Sequence, residues 1–164
     1  MVVVPMPLNL AFFGAQSASQ VIAAYPQIEF WTVGGHSLGG AFAAEYAGAH
    51  PEQADGLVMW AVYPARTNDL SGYPGVVFSI YGTDDGVATE DEVVAALRRL
   101  PAQTRWIPID GGNHAQFGSY GEQSGDNKAS ISRADQQSQI ASATAGALAE
   151  TRGEFDWQPC CELH

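Results

Sequence analysis

Ser37 lies in the run Gly34-Gly35-His36-Ser37-Leu38-Gly39-Gly40, where Gly35 and Gly39 bracket it in a G-x-S-x-G spacing. A serine hydroxyl is a weak nucleophile. It attacks a carbonyl only when a base takes its proton and N–H donors hold the oxyanion that forms. The flanks of the run suit that chemistry. Glu29-Phe30-Trp31-Thr32-Val33 is aromatic and β-branched, as a buried strand should be. Ala41-Phe42-Ala43-Ala44-Glu45-Tyr46-Ala47 is made of good helix formers. The strand–turn–helix context is that of a nucleophile elbow, with glycines that let strand and helix pass without Cβ clashes. A phosphate-cradling turn is the competing reading, but the turn has no nearby lysine and no G-x-G-x-x-G pattern.

Two further turns carry the partners a serine would need. Val76-Val77-Phe78-Ser79-Ile80-Tyr81 reads as a buried strand closed by Gly82-Thr83-Asp84-Asp85-Gly86. Arg105-Trp106-Ile107-Pro108-Ile109 reads as another, closed by Asp110-Gly111-Gly112-Asn113-His114. Serine, acid and histidine therefore follow three strands in the order Ser, Asp, His, a known triad order. In a parallel sheet the carboxyl ends of the strands share one edge, so the three side chains can converge there.

These stretches, together with Ala115-Gln116-Phe117-Gly118 after His114, resemble the motifs of the α/β-hydrolase superfamily. More narrowly, they are similar to a bacterial group of small, lidless serine hydrolases within it. The resemblance runs from Val2 to about Leu148, and the stretch around His114 is its most specific part. It implies a carboxylester hydrolase without a cofactor, working through an acyl-enzyme on Ser37 with His114 as base. A Gly-x-x-Asp register counted from Gly82 points to Asp85 as the acid. Asp84 competes, since either residue could be a turn aspartate accepting its own backbone N–H bonds. The backbone N–H of Leu38 would supply half of the oxyanion hole.

The other histidines have plainer readings. His36 neighbours the nucleophile and should point away from it. His50 ends a helix before Pro51, and His164 is the last residue of a loose tail. Cys160 and Cys161 are adjacent, so they cannot staple the fold, and no His/Cys spacing suggests zinc or another metal. A net charge of −11 argues against nucleic acid and anionic membranes as partners. No apolar run approaches the roughly 20 residues of a membrane span. The start lacks the features of a secretory signal, so the expected location is cytoplasmic if the chain is complete.

The elements that must position these groups alternate. With 164 residues, 46% of them hydrophobic, the chain is expected to form one α/β domain over residues 1–153, followed by a flexible tail over 154–164. Its sheet is expected to be mostly parallel, with about five strands flanked by helices. The expected strands are Val2 to Val4, Glu29 to Val33, Gly56 to Tyr63, Val76 to Tyr81 and Arg105 to Ile109. Helices are expected over Ser17 to Tyr25, from the elbow to near Pro51, from a capping box at Thr89 to Leu100, and from Ser132 to about Thr151.

The substrate pocket should lie over the carboxyl edge, lined by Met6, Leu8, Phe12, Tyr63, Phe117 and Tyr120. No segment is long enough for a cap domain, which favours a small-molecule ester as substrate. The family's sheet is similar to one with eight strands and the elbow after the fifth, whereas a single strand precedes the elbow strand here. A truncated α/β-hydrolase fold is therefore expected, lacking the loop that gives the second oxyanion donor. Losing one such donor costs about 100- to 1000-fold in rate. Hence a second reading, in which the chain is a weak or inactive remnant serving as a binding or assembly module. Apolar sheet surface left uncovered by the missing elements would favour a homodimer or a larger assembly.

Overall fold

Leu57 and Met59 point to one side of a sheet and Val58 to the other, yet all three are buried. A strand apolar on both faces must be covered on both, and that requirement organises the molecule. A computed structural model describes residues 1–4, 17–119 and 121–154 of the chain. Its elements are α1 (Ser17–Ala24), β1 (Thr32–His36), α2 (Leu38–Ala49), β2 (Gly56–Trp60), β3 (Val76–Gly82), α3 (Glu90–Ala95), β4 (Arg105–Ile109) and α4 (Arg133–Thr151). Short 3-10 turns at Leu97–Arg99 and Ala115–Phe117 complete them.

The four strands are all parallel and stand in the order β1-β2-β3-β4. On one face, Leu57, Met59 and Val77 pack with Ala44 and Ala47 of α2 and with Leu70, Tyr73 and Leu100. On the other, Val58, Phe78, Ile80 and Ile109 pack against Ile140, Ala143 and Ala147 of α4. Phe78 is wholly buried between them. Truncating such a residue to alanine costs about 3–5 kcal/mol, because the cavity collapses only in part. At the far end of α4, Arg105 Nη2 lies 3.0 Å from Glu150 Oε1 and ties β4 to the helix.

The elements follow the expected alternation, with differences that have local causes. Residues 2–4 form no strand, and Val3 is largely exposed, so the described sheet has four strands where about five were expected. The elbow strand starts later than its aromatic run. Asp55 accepts the Trp31 N–H at 2.8 Å, and pairing with β2 begins at Thr32 and continues through Gly34 and Gly35 to His36. The next strand ends at Trp60 rather than Tyr63 because Ala61 turns to a positive φ of 49°. Thr89 and Glu92 form the anticipated capping box. That helix nevertheless stops at Ala95. The Ala96 N–H is shared between Glu92 and Val93, which tightens the chain into the 3-10 turn holding Arg98 and Arg99.

Candidate functional site

Ser37 is the corner between β1 and α2. Its N–H donates to Trp60 O at 2.9 Å, extending the β1–β2 ladder, while its carbonyl accepts from Ala41 N at 3.1 Å inside the first helical turn. A residue claimed by both a strand and a helix must turn abruptly between them. Ser37 does so at φ 52° and ψ −126°, a conformation that non-glycine residues rarely hold unless their surroundings over-determine it. Close packing supplies that constraint. A Cβ on Gly35 would lie 2.6 Å from Gly39 C, and one on Gly40 would lie 2.6 Å from Val62 Cγ1. Gly39, by contrast, has open space where a Cβ would be, so the steric need expected of it falls on Gly40. Leu38 opens α2, where the first backbone N–H groups have no acceptor inside the helix.

Asp85 and His114 follow β3 and β4 at the same edge. His114 Nδ1 and Asp85 Oδ2 are 2.8 Å apart, with both side chains almost fully buried. The other carboxylate oxygen of Asp85 accepts the N–H groups of Val87 and Ala88, each at 2.7 Å. These bonds fix the carboxylate and leave one oxygen aimed at the imidazole. Asp84 turns the other way, accepting from Ser130 Oγ at 2.8 Å. The opposite nitrogen of the ring, His114 Nε2, is buried and makes no hydrogen bond among the described residues.

His36 packs against this pair. Its ring centroid lies 4.5 Å from that of His114, and it stacks on Phe117 at 5.8 Å. Burial, and then the adjacent His114, lower its pKa to about 4. A hydrogen bond with the His114 backbone and the charges of Asp85 and Asp126 act in the opposite direction.

The pocket residues fare unevenly. Phe117 is 5% exposed and belongs to the core on the α4 side. Tyr63 is half-buried and donates to Glu92 Oε1 at 2.8 Å, which links the loop after β2 to the start of α3. Burial and that bond raise the Tyr63 pKa, and the same bond lowers that of Glu92. Met6, Leu8, Phe12 and Tyr120 lie outside the described residues, as do Cys160, Cys161 and His164. Among the described residues, no group of three or more His, Cys, Asp or Glu is gathered as a metal site needs. No described helix is long and apolar enough to cross a membrane.

Three supporting residues lie outside the motifs of the sequence or carry no role legible in them. Gln136, wholly buried, accepts from Asn113 N at 3.1 Å and donates to Asn113 O at 2.7 Å, clamping the residue before His114. It shares the buried face of α4 with Ile140, Ala143 and Ala147, so a polar residue on an apolar face was the available signal. Asn113 donates from its own side chain to Asn127 O at 2.7 Å. Asp126 sits in a polar loop without periodicity and gave no signal.

A parallel sheet with helices on both faces, a strained serine corner and a buried Asp–His pair at one edge define the class of an α/β hydrolase. The sequence agrees. The profile of the alpha/beta hydrolase family matches residues 1–138, and the chain belongs to that family. Solved structures share the fold. A thermophilic esterase from Thermogutta terrifontis is 11% identical with a TM-score of 0.63, over 92% of this chain and 75% of its own. A carboxylesterase from Nitrososphaera gargenis is 12% identical with a TM-score of 0.61, over 94% of this chain and 76% of its own. For a predicted CIB-like hydrolase from Thermoplasma acidophilum the values are 14% and 0.57, over 82% of this chain. The match spans only 58% of that protein's length. No curated protein matches the sequence.

Proposed function

We propose that this chain is a serine hydrolase of small carboxylic esters. Ser37 attacks the carbonyl carbon, His114 takes the hydroxyl proton and returns it to the leaving alcohol, and Asp85 holds the imidazole in the tautomer with its proton on Nδ1. Water then cleaves the acyl-enzyme by the same route. The observation that carries this reading is the 2.8 Å contact between His114 Nδ1 and Asp85 Oδ2, made by a carboxylate already fixed by two backbone N–H groups. The corner at Ser37 serves as the nucleophile elbow, and the N–H of Leu38 faces the developing oxyanion. The esterases among the structural relatives support ester chemistry in particular.

The test is hydrolysis of p-nitrophenyl acetate by the full chain and by Ser37→Ala, His114→Ala and the double variant. Each single change should remove activity by orders of magnitude, and the double change should add little, because the residues act as one unit. Ser37→Ala retaining most of the activity would overturn the assignment.

A second reading, a weakly active or inactive module for binding or assembly, draws support from the edge of the sheet. Among the described residues β1 has a neighbour on one side only, and Ile28 and Phe30 just before it are nearly half exposed. Under either reading the chain forms a homodimer or larger assembly that covers this region. Light scattering showing a stable monomer at micromolar concentration would contradict that.

A further inference from the structure

Residues 121–125, 127 and 128 are exposed, yet the Asp126 side chain between them turns inward and meets backbone N–H groups from two other loops. Its Oδ1 accepts from Gly86 N at 3.1 Å and from His114 N at 3.2 Å, and its Oδ2 accepts from Ala115 N at 2.8 Å. Gly86 directly follows Asp85. One carboxylate thus spans the loop of the acid and the loop of the histidine. Gly86 leaves room for this: a Cβ there would lie 2.6 Å from Gly125 O and 2.8 Å from Asn127 N.

We propose that Asp126 is a positioning residue that locks the Asp85 loop to the His114 loop. The proposal rests on the triad reading of Asp85 and His114. The donors diverge, so both oxygens are needed. An asparagine would keep one acceptor and set its NH₂ against a donor. Charge matters as well. Among the described residues, Asp85, His36 and Asp126 are the titratable groups that contact His114, from the loop after β3, the end of β1 and the loop that precedes α4. Asp126 reaches the backbone of His114 and not its ring, so it acts through placement and through its field. A negative charge there favours the imidazolium that forms when Ser37 gives up its proton.

The experiment compares the full chain with Asp126→Asn by p-nitrophenyl acetate kinetics across pH and by proton NMR of the His114 Nδ1–H resonance. Asp126→Asn should lower kcat by about 10- to 100-fold with KM little changed, as a misplaced reacting group does. Loss of the charge should also move the acidic limb of kcat/KM to lower pH, which a purely structural role would not do. The Nδ1–H resonance should broaden or shift. Wild-type kcat, pH limb and resonance in a folded Asp126→Asn would overturn the proposal. If that variant does not fold, Gly86→Ala serves, since it retains Asp126 but pushes residues 125–127 away. It should lower kcat and broaden the resonance, and wild-type values of both would overturn the proposal. The resonance needs no turnover. An inactive wild-type chain would thus refute the hydrolase reading alone, while the resonance still decides for or against Asp126.

Discussion

The imidazole rings of His36 and His114 lie 4.5 Å apart, centroid to centroid, at a tilt of 49°. Two rings this close resist carrying charge together. If His114 becomes the imidazolium during turnover, its neighbour must stay neutral, and burial holds His36 in that form by lowering its pKa to about 4.

That neutrality has a consequence for stability. Unfolded, His36 takes up a proton near its ordinary value of 6.5, whereas folded it does so only near 4. Between those values the unfolded chain binds more protons, so stability falls as pH is lowered through that window. Urea midpoints measured at about pH 7 and about pH 5 should show the loss. His36→Phe, which keeps an aromatic ring against Phe117, should reduce it. Equal slopes in both proteins would contradict the assignment to His36.

Asp84 and Asp85 should separate cleanly. Asp85→Asn puts an amide against His114 Nδ1 and favours the wrong tautomer, lowering kcat by up to about 10⁴-fold. Asp84→Asn keeps an acceptor for Ser130 and should cost no more than about 1 kcal/mol of stability, with little change in rate. Steady-state kinetics of the two variants decide the matter, and the reverse ranking would move the acid to Asp84.

The contrast between those neighbours shows how far the sequence could be read. Local chemistry was legible: strand composition, the Thr89 capping box and the Ser132 cap each depend on residues a few positions apart. So was the strand-end placement of Ser37, Asp85 and His114, because parallel strands deliver their carboxyl ends to one edge. What stayed hidden depends on long-range contact. Asp126 lies 40 residues from Gly86, and nothing in its polar loop signals which backbone it will meet. The end of β2 at Ala61 was equally unreadable, since an alanine carries no mark of a positive φ. At residues 2–4 a β-branched run with strand propensity found no partner in the described sheet, as propensity alone cannot supply one.

Gly39 and Gly40 should respond in opposite ways to alanine. At Gly40 the new Cβ meets Val62 and the Gly35 carbonyl, and overpacking of this kind costs about 1–3 kcal/mol. At Gly39 the Cβ enters open space on a helix, where alanine gains up to about 1 kcal/mol over glycine. Thermal unfolding of the two variants should move the midpoint down for the first and hold or raise it for the second.

Gln136→Leu should reveal how the histidine loop is held. The change leaves the N–H and carbonyl of Asn113 buried without their partner, at a cost of about 1–3 kcal/mol for each group. Urea unfolding would report the loss, and kcat should fall because His114 follows directly. A variant as stable and as active as wild type would show that the clamp on Asn113 is dispensable.

Labelling with a fluorophosphonate followed by peptide mapping asks whether Ser37 is the nucleophile, because only an activated serine reacts readily. One adduct is expected, on Ser37, absent from Ser37→Ala and formed far more slowly in His114→Ala. No adduct on the wild-type chain, or an adduct on a different serine, would contradict it.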